Sequence, residues 1–152
     1  MKFLLILSFA ILLSACAAPQ FNASPLKYSG SQIVVIKDND TREGFLQSMK
    51  SWLAQNKYDF AVSEDGSKHD HKKVTLEYEG HWGWDLALYL KDAEIKAYSD
   101  GQRIGEASYK VPYTANPNKF SVASERIASM MDLLFGKKSV QEANSEIRSS
   151  KK

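Results

Sequence analysis

Three histidines, a set of strand carboxylates and one cysteine are the side chains of this 152-residue chain whose types and spacing suit chemistry. His69-Asp70-His71 with nearby His81 is the one cluster of metal-ligand types, and imidazole with carboxylate suits zinc, copper or nickel. Such a site needs three or four converging ligands. Lys68, Lys72 and Lys73, beside His69 and His71, repel a cation. The pattern favours a solvated loop, with periplasmic metal handling through the His69/His71 loop as an alternative. Glu77, Glu79, Asp85 and Glu94 are candidates for acid–base work only if they converge in a pocket. Their alternating strand positions, interleaved with Lys96 and Lys110, predict an open solvated face instead. There is no G-x-S-x-G and no Gly-rich phosphate loop, so an enzyme here would be of unnamed type.

The cysteine stands in a more specific setting. Met1-Lys2 precede an apolar run, Phe3 to Leu13, whose only polar member is Ser8. Spanning a bilayer takes about 20 apolar residues, so this run is too short; a basic residue, a short apolar run and small residues form the layout of a secretory signal peptide. Leu13-Ser14-Ala15-Cys16 follows and resembles the lipobox of bacterial lipoproteins. That resemblance implies cleavage before Cys16, a diacylglycerol thioether on its thiol and acylation of the new amine, with no other cofactor. Several acyl chains give a stable anchor where one does not. Ala15-Cys16-Ala17 also fits an ordinary small-x-small cleavage site, which stays open as an alternative. No second Cys exists, so the mature chain forms no internal disulfide. Ala17 stands where an Asp would imply inner-membrane retention. The resemblance thus implies the outer membrane, with the domain facing the periplasm.

Aromatic residues supply the other candidate. Trp84 shares phase with Leu86, Leu88 and Leu90 and is expected in the core, whereas Tyr89 and Tyr98 have the opposite phase and Trp82, placed in the turn at Gly80 to Gly83, is expected on the polar face with them. Together with Glu77 these three compose a candidate surface for an envelope protein partner; alternatively they only cover backbone and Lys stems. The charge balance excludes nucleic acid. Of 20 Lys and Arg against 18 Asp and Glu, Lys2 leaves with the leader and five bases stand in the tail 137–152. The remaining domain is slightly acidic and lacks the single-signed field that phosphate backbones require.

The elements that must position these residues read as one α+β domain over 32–136. Residues 1–15 are the signal peptide, 16–31 a flexible tether from the lipidated Cys, and 137–152 a polar basic tail, frayed or disordered. Gln32 to Lys37 reads as a buried strand, and Asp40 with Glu43 as a capping box opening a helix that presents Phe45, Met49, Trp52 and Leu53 and stops at Asn56. Tyr58 to Ser63 is a second strand, able to lie parallel to the first across the helix. Val74 to Tyr78 and Trp84 to Leu90 are strands joined by a turn at Gly80 to Gly83; a bulge at Lys91-Asp92 precedes Ala93 to Ala97. Asp100-Gly101 turns the chain into Ile104 to Val111. Asn116-Pro117 opens a helix bearing Phe120, Ala123, Ile127, Met130, Met131 and Leu134, ended by Gly136. These elements assemble as a two-layer sandwich, a mostly antiparallel sheet of five to six strands with two helices on one face. The layout is similar to that of small envelope lipoproteins with a two-layer α/β domain. Trp82-Gly83-Trp84-Asp85-Leu86-Ala87-Leu88-Tyr89-Leu90, with Asp100-Gly101 and Gly105-Glu106-Ala107, resembles an uncharacterised family of small proteobacterial lipoproteins. The resemblance implies location and fold and carries over no catalytic residue.

Overall fold

The computed structural model describes residues 20–27, 30–111 and 117–149. The β-branched run forms strand β2 (Ile33–Ile36), and helix α1 (Glu43–Gln55) carries the chain back to β3 (Phe60–Ser63), which pairs with β2 in parallel. The long strands β4 (Val74–Asp85) and β5 (Ala87–Ser99), then β6 (Gln102–Lys110), form an antiparallel meander; a short 3-10 helix (Pro117–Phe120) leads into α2 (Ala123–Leu134). Two further elements, β1 (Gln20–Ser24) and α3 (Val140–Ser149), lie outside the span expected for the domain. The sheet is six-stranded and mixed, in the order β1-β6-β5-β4-β2-β3, with β2 parallel to both β3 and β4. Among the described residues the fold is therefore α+β with an open sheet, carrying one helix more and more parallel pairing than expected.

One face of the sheet packs on the helices. Phe45 of α1 stacks on Tyr78 at 4.9 Å, and Trp52 donates to the Asp132 carboxylate of α2 at 2.8 Å, which ties the two helices together. Ile33, Val35, Leu76, Ile95, Ala97, Ala107 and Tyr109 complete this core. Two local stops differ from expectation. Asp38, not Asp40, organises the entry to α1: its carboxylate accepts from the Asp40 N–H and the Thr41 hydroxyl, and no side chain caps the helix. At its C-terminus the left-handed residue is Lys57 (φ 59°) rather than Asn56. The reciprocal capping box occurs instead at Ser139 and Glu142, before α3. The Asn116 position lies outside the described residues; α2 starts at Ala123, behind the 3-10 helix.

The tether and the tail need larger corrections. Within 16–31, residues 20–24 form β1 against β6, Phe21 is buried and Leu26 packs into the core. The tail is helical as α3 and buries Ala143 and Ile147. Its Asn144 side chain accepts from the Phe21 N–H (2.8 Å) and donates to the Phe21 carbonyl (3.1 Å), so a helix closes the free edge of β1. Each end supplies what the other lacks: an isolated edge strand and a polar helix become stable by covering one another.

Candidate functional site

The Lys91 bulge is where expected: His81 pairs with Asp92 and Trp82 with Leu90, leaving Lys91 extra. The turn is not at Gly80 to Gly83. β4 continues unbroken to Asp85, and Leu86 alone links Asp85 to Ala87, at a φ of 62°. The two glycines serve close approach. A Cβ on Gly80 would stand 2.8 Å from the Phe45 ring, and one on Gly83 2.6 Å from the Tyr89 ring. The hairpin thus extends past the layer of helices. Phe45 meets the Trp82 edge at 6.4 Å, but Trp84, Leu86 and Leu88 are 74%, 92% and 44% exposed, while Leu90 is 1% exposed. The expectation of a buried Trp84 is overturned. The alternation names a face correctly, but among the described residues no element covers that face at this end.

The 3-10 helix packs beside this tip. Lys119, although buried, makes an ion pair with Asp85, and its ammonium lies 5.2 Å from the Tyr89 ring centroid and 5.1 Å from that of Phe120. Tyr89 and Phe120 meet edge to face at 5.8 Å. Asp85 is the only charged residue between Trp82 and Leu90, so its pairing leaves the tip without net charge. Sequence reasoning missed Leu86, Leu88, Lys119 and Phe120 as a group. The available signal was an apolar stretch with no turn residue at its apex.

The opposite sheet face holds the histidines, each beside its own carboxylate. The segment from Ser63 to Val74 must cross β2, because β3 and β4 flank it in parallel, and it does so over this face. His69 Nε2 bonds Glu77 at 2.8 Å and its ring lies 4.6 Å from Tyr98, while Val34 and Thr75 on this face are buried. His71 pairs with Asp100 at 3.1 Å. His81 lies between Asp92 at 2.7 Å and Glu79 at 3.2 Å; the Asp92 hydrogen bond above all raises its pKa. Asp70 accepts from the Lys72 N–H, which lowers its pKa, and pairs with Lys73. Among the described residues no three His, Cys, Asp or Glu side chains converge to hold a metal ion. Glu94 pairs with Lys96 at 2.7 Å, and the nearby depression between Asn22, His81, Asp92, Glu94, Ser108 and Lys110, of about 360 Å³, is shallow and open.

The four residues expected to share a partner surface do not share one. Glu77 and Tyr98 join through His69, Tyr89 belongs to the tip, and Trp82 turns to the helix side under the Arg42 guanidinium. Because β4 continues through Gly80 and Gly83 without a turn, Trp82 shares the face of Tyr78 and Trp84, and Tyr89 stands nine residues along β5 from Tyr98. Cys16 lies outside the described residues, and no helix among those described is long and apolar enough to cross a membrane.

No family model matches the chain, and no curated protein matches it, so the family resemblance of the Trp82–Leu90 stretch finds no counterpart there. Among solved structures, a minor lipoprotein from Acinetobacter baumannii is similar with a TM-score of 0.33 and 11% identity, over 83% of this chain and 95% of that one. A TM-score of that size does not establish a common fold.

Proposed function

We propose that this protein is a lipid-anchored envelope protein, cut before Cys16 and acylated there. Its domain faces the periplasm from the outer membrane and serves as a non-enzymatic binding or accessory module. The observation that carries the reading is Leu13-Ser14-Ala15-Cys16 behind a short basic and apolar leader. Among these side chains only a thiol readily forms a stable thioether to a lipid, so Cys16 is the one residue able to be converted in this way. The position of β1 supports the reading, since this strand begins at Gln20, four positions after Cys16. A binding role is favoured over catalysis because the candidate acids and bases are spread over an open face. There His69, His71 and His81 each engage a different carboxylate.

Growth of the producing bacterium with radioactive palmitate tests the anchor. The wild type incorporates label and fractionates with outer membrane. Label that persists in Cys16→Ala overturns the assignment, as does recovery of an unlabelled wild type cut between Ala17 and its neighbour.

A further inference from the structure

Lipid anchoring and the exposed hairpin meet in one geometric fact. Gln20 pairs with Lys110, Lys110 with Asp92, and Asp92 with His81, so these four residues form one row across β1, β6, β5 and β4. The strands alternate in direction. The N-terminal end of β1, at Gln20, therefore faces the same side of the sheet as the Leu86 end of β4. From that row the hairpin projects five residues, roughly 16 Å at the rise of a strand. Cys16 is four Cα–Cα steps before Gln20, a reach of at most about 15 Å. A lipid on Cys16 would hold the row no further from the bilayer than the hairpin is long.

We propose that the β4–β5 tip, formed by Trp84, Leu86 and Leu88, is a second membrane contact that enters the interfacial region of the bilayer beside the lipid anchor. The inference rests on the lipoprotein reading and adds to it the surface that the lipid would orient. The chemistry of the tip matches a lipid interface. Its exposed side chains are apolar, Trp favours the boundary between headgroups and acyl chains, and the Asp85–Lys119 pair leaves no net charge to desolvate. Phe120, partly exposed beside Tyr89, adds a further apolar side chain at this end of the molecule. The apex itself is unusual. Leu86 occupies a left-handed turn conformation that Gly or Asn adopts with less strain, yet it is an almost fully exposed apolar residue. An apolar apex held against local preference is accounted for by a non-aqueous environment around it. With one membrane contact the domain would swing about its anchor; with two it presents the His–carboxylate face of the sheet sideways, along the membrane.

The test uses the full acylated chain in vesicles of phosphatidylethanolamine and phosphatidylglycerol whose acyl chains carry bromine. The lipid on Cys16 is verified by mass spectrometry in the same sample. The expected result is strong quenching of tryptophan emission, most of which is lost in Trp84→Phe while Trp52 and Trp82 remain. Leu86→Asn, which suits the turn, should also lower the quenching without changing the circular dichroism. Acylated protein whose quenching is the same in wild type and Trp84→Phe overturns the tip contact and leaves the anchor standing. Protein without lipid on Cys16 overturns the anchor reading and this inference with it. Protection of Trp84 that appears without lipid and grows with protein concentration also overturns it, in favour of contact between copies of the chain.

Discussion

The two halves of the β4–β5 hairpin are one continuous ladder in two environments. In the base, Val74, Leu76, Tyr78, Ile95 and Ala97 alternate with polar residues and are buried beneath α1 and α2. In the tip, Trp84, Leu86 and Leu88 continue an alternating apolar pattern and face outward. Strand pattern and pairing are alike in both; what differs is whether a helix is overhead. A period of two therefore specifies which side chains share a face, and only the third dimension specifies what that face meets. The transition falls at Trp82, the last residue of the ladder that α1 reaches through Phe45.

The comparison is sharpest in stability. Leu76 is fully buried in the base, and its replacement by Ala should cost about 2–5 kcal/mol, because the rigid core around it cannot collapse into the void. Urea denaturation of the folded domain measures this directly. A loss well under that range would mean that the base is no better packed than the tip.

At the apex the same measurement should give almost nothing. Leu86→Asn removes an apolar side chain that makes little contact and introduces a residue tolerant of the left-handed conformation. The change in stability should stay within about 0.5 kcal/mol in either direction. A cost approaching that of Leu76→Ala would show the tip to be packed, and the contrast between the two halves would collapse.

The sequence carries these elements unevenly, for physical reasons. Features set by neighbouring residues are legible. The Lys91 bulge follows from the phase break, and the Asp100-Gly101 hairpin is found with positive φ at both residues. So are the amphipathic helices and the parallel pairing across α1. Features set by distant partners are not. β1 has only Phe21 and Ala23 to mark it, and depends on pairing with β6 and on Asn144 from the far end of the chain. The tail reads as polar because α3 needs only a narrow apolar stripe, Ala143 and Ile147, to sit against that edge. Gly80 and Gly83 have the composition of a turn, yet they admit Phe45 and Tyr89, and no local rule separates those roles. The candidate site divides along the same line. The motif around Cys16 is wholly local, whereas the apolar tip exists only because helical cover ends.

The smallest effect lies at the boundary between the halves, where His81 pairs with Asp92 in the last row before the tip. The Asp92 hydrogen bond, then its charge, then that of Glu79 raise the His81 pKa above the ordinary 6.5, against desolvation and Lys91. The folded protein thus holds this proton more tightly than the unfolded chain does. The resulting stabilisation is complete below the unfolded value and fades as pH rises through the folded one. Because the ring is largely solvated, the effect on unfolding should be slight, and the titration is better followed by NMR of the imidazole. In the wild type the His81 signals should titrate above 6.5; in Asp92→Asn they should return towards it, with the slope of stability against pH flattening in the same interval. A wild-type His81 that titrates at or below 6.5 would mean that the pair is open in solution. The row from Gln20 to His81 would then lose one of the contacts that define where the base ends and the tip begins.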